Sequence, residues 1–384
     1  MKRIRIAVIG CGHMGSLHAK KLITLPQVEL VAVVDPDPQA RFRLAEACRA
    51  APLPDFRSLF LDRLDAAVVA VPTHQHARVA AEFLARGIHV LVEKPLADSE
   101  EAAARLVSLA ERKGAILQVG HIERYNPAFQ FAADRIKHPL GISTIRFGKL
   151  LGRNVVTDIV FDLLIHDLDL ASHLANAPVS CIQAAGWSLA GECLDFVQAF
   201  LFFASGVQAL CTASRIHPQT VRQMDVFDKT WFFQLDLGAR KVTTISRTQA
   251  EELPEGATSH PNSPRAHLMC TLTGTSEGKS ELSIAREEFA FPHADPLTAE
   301  LEDFLQAIRS GRSPRVDGYQ GLTAVRLAEK IRSLILDQWH GLPPGQPIES
   351  LPRESRLPLA GPHFGAIAKP PVPDSPVTRS SDSV

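Results

Sequence analysis

Ile4-Arg5-Ile6-Ala7-Val8-Ile9-Gly10-Cys11-Gly12-His13-Met14-Gly15 decides how the first third of the chain folds. The apolar run reads as a strand buried on both faces, and the G-x-G-x-x-G after it turns that strand into a helix. The first glycine permits the tight turn and the second lets backbone approach a pyrophosphate. The third allows close packing of helix on strand, and the helix N-terminus attracts phosphate charge. Apolar runs recur at Leu30 to Val34, Ala66 to Val71, His89 to Val92 and Ile116 to Val119. Amphipathic stretches separate them, such as Ala77 to Arg86 with Val79, Ala80, Phe83 and Leu84 on one side. For the next helix Asp98 serves as the expected cap, Glu101 completes a capping box, and Lys113-Gly114 ends it. Strand–helix alternation with short connections predicts a parallel, doubly wound sheet.

A glycine signature alone is weak, but Asp35 ends the next strand about 20 residues on, where an acid can accept from both adenosine ribose hydroxyls. That carboxylate would repel a 2′-phosphate, so NAD is expected over NADP; Arg41 is the one nearby cation that could reverse this. The basic, then apolar start MKRIRIAVIGCG superficially resembles a signal peptide. It runs straight into the glycine turn without a small-residue cleavage site, which favours a buried first strand.

Past residue 122 the texture changes. Ile142 to Leu151, Cys181 to Trp187, Phe196 to Ala204, Val207 to Ser214, Gln223 to Leu235 and Arg240 to Ile245 are β-like, and Ser205-Gly206 signals a two-residue hairpin. One helix, Asp158 to Leu174, interrupts them; a polar loop covers Thr248 to Pro264, and helices resume at Thr298 to Ser310 and Gly318 to Trp339. The expected fold class is therefore α/β: an N-terminal doubly wound parallel sheet (1–121), then an α+β domain with an open, mostly antiparallel sheet (122–340). Residues 341–384, rich in Pro and Ser, read as a poorly ordered tail.

Composition narrows the function classes. With 42 acids against 41 bases, no global field favours nucleic acid or an anionic membrane. No apolar run nears the roughly 18 residues of a membrane helix. Six scattered cysteines without CxxC spacing (Cys11, Cys48, Cys181, Cys193, Cys211, Cys270) suggest reduced thiols in a cytoplasmic protein.

Two segments carry the chemistry. Glu93-Lys94-Pro95 follows a strand at the carboxyl edge of the sheet, where α/β ligands bind, and the proline fixes the backbone that aims the lysine. In Asp162-Leu163-Leu164-Ile165-His166-Asp167-Leu168-Asp169, α-helical spacing puts Asp162 and His166 on one face, continued by Asp169 and His173. Polar residues in register on an apolar helix need a reason, since burying them unpaired is costly. A hydrogen-bonded structural network, a divalent metal site and a general base with an orienting carboxylate all remain open. No cysteine joins the stripe and nothing else marks a metal site, so no metal is expected.

The ordered series G-x-G-x-x-G, Asp35, Glu93-Lys94-Pro95 and Asp162-xxx-His166 resembles the glucose-fructose oxidoreductase/inositol dehydrogenase (Gfo/Idh/MocA) family, from residue 1 to about 338. The resemblance implies a Rossmann domain with NAD as cofactor, followed by an open-faced sheet through which copies pack as homodimers or homotetramers. It implies that Lys94, Asp162 and His166 are catalytic. Cofactor contacts are expected from Gly10, Gly12, His13, Met14, Gly15 and Asp35, and from Pro72, Thr73, His76, Glu93 and Lys94. Gly120-His121-Ile122-Glu123-Arg124-Tyr125-Asn126-Pro127 is similar to the UDP-N-acetylglucosamine 3-dehydrogenase branch, with Tyr125 in place of an expected Phe. That branch implies oxidation of the C3 hydroxyl of a UDP-amino sugar to a 3-keto sugar nucleotide. The ketone would suit a downstream aminotransferase, as in routes to lipid A or surface polysaccharides. Glu123, Arg124, Asn126, Pro127, Arg153 and Arg215 are the expected substrate residues, Arg222 being a further cation for a diphosphate. Arg124 and Asn126 serve equally well as ties between domains. A dehydrogenase for a free sugar or polyol, and a non-catalytic NAD(H)-binding sensor or scaffold, are the competing readings.

Overall fold

The computed structural model describes residues 2–61, 63–149, 158–189, 193–249, 265–273 and 281–341. In chain order the first part runs β1 (Ile4–Ile9), α1 (His13–Leu22), β2 (Val28–Val34), α2 (Pro38–Cys48), β3 (Ala51–Leu53), β4 (Ala66–Val69), α3 (Thr73–Leu84), β5 (His89–Glu93), α4 (Glu100–Lys113) and β6 (Leu117–Gly120). All the pairings are parallel, in the order β3-β2-β1-β4-β5-β6. The order reverses at β1, and the carboxyl ends of β1 and β4 meet there, which is where such sheets bind ligands. β3 is the strand that periodicity does not reveal: it has three residues, one a proline, at the sheet's edge.

Helix α4 corrects one expectation. Its N-cap is Ser99, whose Oγ accepts from Ala102 N at 3.3 Å in an extended backbone, and not Asp98. The stop is as read: Gly114 adopts φ 61°, the left-handed conformation that closes a helix.

The second part contributes α5 (Pro127–Arg135), β7 (Pro139–Phe147), α6 (Ile165–Ala175), β8 (Val179–Trp187), β9 (Phe196–Phe203), β10 (Gln208–Ser214), β11 (Val221–Asp228), β12 (Trp231–Asp236), β13 (Lys241–Gln249), β14 (Arg265–Thr273) and β15 (Glu281–Ala290). These strands make a nine-stranded sheet, antiparallel except where β7 meets β10. The hairpin between β9 and β10 has a three-residue loop, Ala204–Gly206, and not two. Gly206 sits at φ 87°, as a type I turn followed by a glycine bulge requires. Strands β14 and β15 extend the sheet beyond β13, in a stretch whose charged residues hide the alternation. Most of the expected loop 248–264 and all of the tail beyond 341 lie outside the described residues.

The last helices, α7 (Pro296–Ser310) and α8 (Gly318–Gly341), follow the second sheet; α7 packs on the first, while α8 meets Leu117 and Val119 of the first at Gly318 and Gly321 and packs Ile335 against Gly186 of β8. Leu301, Phe304 and Leu305 share a core with Ile4, Ile6, Val8 and Leu22, and Gln118 bridges to Asp317. The helix expected over 158–174 begins with a π-helical turn, Val160–Leu164, before α6. Among the described residues no helix is long and apolar enough to cross a membrane, and the described cysteines form no disulfide.

Candidate active site

The glycine turn is built as its sequence requires. Gly10 has φ 99°, and a Cβ there would lie 2.4 Å from the Ala70 carbonyl; at Gly15 it would lie 1.8 Å from the Gly10 carbonyl. At Gly12 a Cβ would meet nothing within 4 Å, so backbone there faces open space. Helix α1 starts at this point with no side-chain cap, leaving its first amides to an anion. Asp35 braces the turn, accepting from Cys11 N (2.7 Å) through one oxygen and from Asp37 N (2.9 Å) through the other. The Arg41 guanidinium is spent on the carbonyls of Asp35 and Pro36 and lies over the Phe42 ring, so it is poorly placed to hold a 2′-phosphate.

A cavity of about 1120 Å³ opens over this turn, lined by Gly10, Gly12, Met14, Asp35, Pro72, Thr73, His76, Glu93 and Lys94 among others. These residues fit a dinucleotide: a glycine cradle and a helix N-terminus for the pyrophosphate, a carboxylate beside it for the ribose. Two expected contacts have other placements, Gly15 packing on Gly10 and His13 standing exposed at the start of α1. His76 sets Nδ1 2.7 Å from the Pro95 carbonyl and Nε2 2.8 Å from the Val71 carbonyl, donating to one of them in its neutral form, and so holds the turn after β5 in place.

That turn, with a cis Lys94-Pro95 peptide, delivers Lys94. Its Nζ donates to the Asp162 carbonyl (2.7 Å) and approaches Asp162 Oδ1 (3.4 Å). Asp162 thus faces the lysine, and no hydrogen bond joins it to His166. The π turn winds wider than an α-helix, so the spacing that would align the two no longer holds. His166 is held low: burial first, then the charges of Lys94 and Arg146, keep its pKa well below the usual imidazole range. It is therefore neutral at neutral pH, as a proton acceptor must be. Asp169 pairs instead with Arg124, and His173 packs on the Phe129 ring. The expected stripe resolves into separate jobs.

The segment from Gly120 to Pro127 is a knot. Glu123 accepts from Arg146 (2.8 Å), Arg124 donates to Asp169 (3.3 Å), and Asn126 caps α5 while donating to Glu123 and to the Leu237 carbonyl. Arg124 is 2 % exposed and Asn126 is 3 % exposed, so both tie the elements together without facing the cavity. Pro127 opens α5. The hydroxyl that distinguishes Tyr125 from the expected Phe donates to Asp303 on α7 at 2.9 Å. Arg215 pairs with Asp195, and Arg153 lies outside the described residues. Arg222 is half exposed beside Glu123 and close enough to act on His166, leaving it available to a ligand.

Several polar residues were not foreseen. Arg146 grips Asp167 with two bonds (2.9 and 3.0 Å); its signal was an arginine at an inward position of β7, in register with Ile142 and Thr144. His18 Nε2 meets Glu93 Oε1 at 2.7 Å, next to the fully buried Glu300 of α7. Burial and the Glu93 charge push the Glu300 carboxyl well above the usual range, so it carries a proton. Nothing local in the sequence pairs residues so far apart.

The chain is similar to known proteins along most of its length. Residues 4–121 match the model of an oxidoreductase family with an NAD-binding Rossmann fold, and 153–228 match the GFO/IDH/MocA C-terminal domain. The chain is 28 % identical over 333 residues to the UDP-N-acetylglucosamine 3-dehydrogenase of Acidithiobacillus ferrooxidans, covering 86 % of this chain and 97 % of that protein. A solved structure of that enzyme superimposes with a TM-score of 0.75, covering 87 % of this chain and 98 % of that one. The scyllo-inositol 2-dehydrogenase of Bacillus subtilis is 28 % identical over 242 residues, covering 56 % of this chain and 68 % of that protein.

Proposed function

Because this chain belongs to the GFO/IDH/MocA family of NAD-binding oxidoreductases, we propose that it oxidises the C3 hydroxyl of UDP-N-acetylglucosamine or a close UDP-amino sugar. The observation that carries the reading is Lys94, fixed by Asp162 at the rim of the glycine cradle, with a neutral His166 beside it. The near-complete coverage of the Acidithiobacillus enzyme supports a nucleotide sugar as substrate.

NAD, when bound, supplies the hydride acceptor. Lys94 stabilises the developing alkoxide by charge, and His166 takes the hydroxyl proton. Asp162 holds the Lys94 ammonium in place. Of the arginines expected to hold a diphosphate, Arg222 is the described one that stays half exposed, and its planar fork matches two phosphate oxygens. The product ketone is a substrate class for an aminotransferase, the downstream partner we propose.

A second copy of the chain is the other partner. Phe196, Phe200 and Phe202 of β9 stand half-buried on the outer face of the second sheet, with Trp187, Leu210 and Phe227 more exposed. Such a face is what an isologous sheet contact covers.

Incubating the protein with NAD and UDP-N-acetylglucosamine tests the activity through NADH absorbance. Turnover of this substrate, and not of free inositol, is expected. The inositol dehydrogenases among the relatives make a polyol the second reading, and the opposite preference would establish it.

A further inference from the structure

Four buried polar atoms lie around and behind His166 with no hydrogen-bond partner among the described residues: its own Nδ1, both ring nitrogens of His121, and Oδ2 of Asp169. His121 is 1 % exposed, and its ring stands edge-to-face to that of His166 with centroids 6.3 Å apart. Asp169 gives Oδ1 to Arg124. Leaving such atoms unpaired in a buried place is costly. A water between His166 Nδ1 and one ring nitrogen of His121 would join two of them, within the two to four polar partners that a buried water takes. The groups that act on His121 are Asp169 and His166 from α6, Arg124 from the turn after β6, and Lys94 and Glu93 from the end of β5. Burial lowers its pKa first, the two cations add to that, and Asp169 opposes them.

We propose that His121 is the second acceptor on the proton's route, taking a proton from His166 Nδ1 through one bridging water and holding it against Asp169. This rests on His166 being the base. The substrate O–H bond breaks as an N–H bond forms on the His166 nitrogen facing the cleft. The Nδ1–H bond then breaks, its proton moves through the water, and an N–H bond forms on His121. His166 returns to neutral in its other tautomer. His121 ends as an imidazolium beside a carboxylate. Nothing is oxidised or reduced in this relay. His121 is thus a positioning residue: its resting acceptor nitrogen fixes the His166 tautomer that leaves the cleft-side nitrogen free.

The test is long-range ¹H–¹⁵N spectra of histidine-labelled protein with NAD present, on wild type, His121→Phe and His121→Gln. In wild type His166 carries its proton on Nδ1, and in His121→Phe the proton moves to Nε2. Glutamine can still accept a hydrogen bond but cannot be protonated, so His121→Gln keeps the tautomer, keeps KM, and lowers kcat about 10-fold. Wild-type His166 protonated on Nε2, an unchanged tautomer in His121→Phe, or kcat within about twofold in His121→Gln overturns the proposal. The spectra need no sugar substrate. If no UDP-sugar is oxidised, the substrate reading fails while the tautomer still decides this one.

Discussion

Lys94 and His166 divide the work at the scale of single residues. The ammonium is held by Asp162, and its charge adds to the burial that keeps the His166 imidazole neutral. Lys94→Ala and His166→Ala should each lower kcat by about 10²-fold or more, with NAD affinity nearly unchanged in a calorimetric titration. The pH profile separates the two roles. Since His166 must be unprotonated, the acid limb of kcat/KM reports its pKa, which burial and Lys94 both depress. Removing the Lys94 charge lets that pKa rise, so the acid limb of the residual activity should move to higher pH. An acid limb that stays in place would separate Lys94 from the base.

Among the elements, α4 and α7 make opposite points about local and distant signals. The Ser99 cap is a local device, and Ser99→Ala should lower stability by about 1 kcal/mol in denaturant unfolding, while Asp98→Ala should change it by less than about 0.5 kcal/mol. Glu300 on α7 depends on distant partners. The unfolded chain loses this proton near pH 4.5, whereas the fold keeps it to much higher pH. Between those values the folded state binds more protons, so stability falls as pH rises. Glu300→Gln keeps a neutral side chain at every pH and removes that dependence. Its Tm relative to wild type should therefore increase from about pH 5 to about pH 8; a constant difference would show that Glu300 is ionised in the fold.

For the whole molecule, the segment after β6 joins the two sheets to α7. Arg124 reaches Asp169 and the Arg315 carbonyl, and Tyr125 reaches Asp303. Arg124→Ala leaves Asp169 buried without its cation, a change of about 3–5 kcal/mol, and should depress Tm with no selective effect on UDP. Arg222→Ala, at a half-exposed site, should weaken UDP binding at least several-fold with little change in Tm. Calorimetric titration of UDP into both variants with NAD present checks the pair. Selective loss of UDP in Arg124→Ala would return that arginine to the ligand.

What the sequence determined by itself is what local spacing encodes. The strand, glycine turn, helix and Asp35 are contiguous or nearly so, and the backbone geometry they demand is found at Gly10, Gly12 and Gly15. The β-like stretches from β7 to β13 were legible in the same local way, whereas β14 and β15 were not. Tertiary structure alone decided the partners. Asp162 turned to Lys94 because a π turn broke the α-helical register, and Arg124 turned inward because Asp169 was buried beside it. His18, Glu93 and Glu300 come from three distant elements, and α7 folds back onto the first sheet. A side chain's ionisation and its partner depend on what the fold places within a few ångströms, and spacing along the chain does not carry that distance.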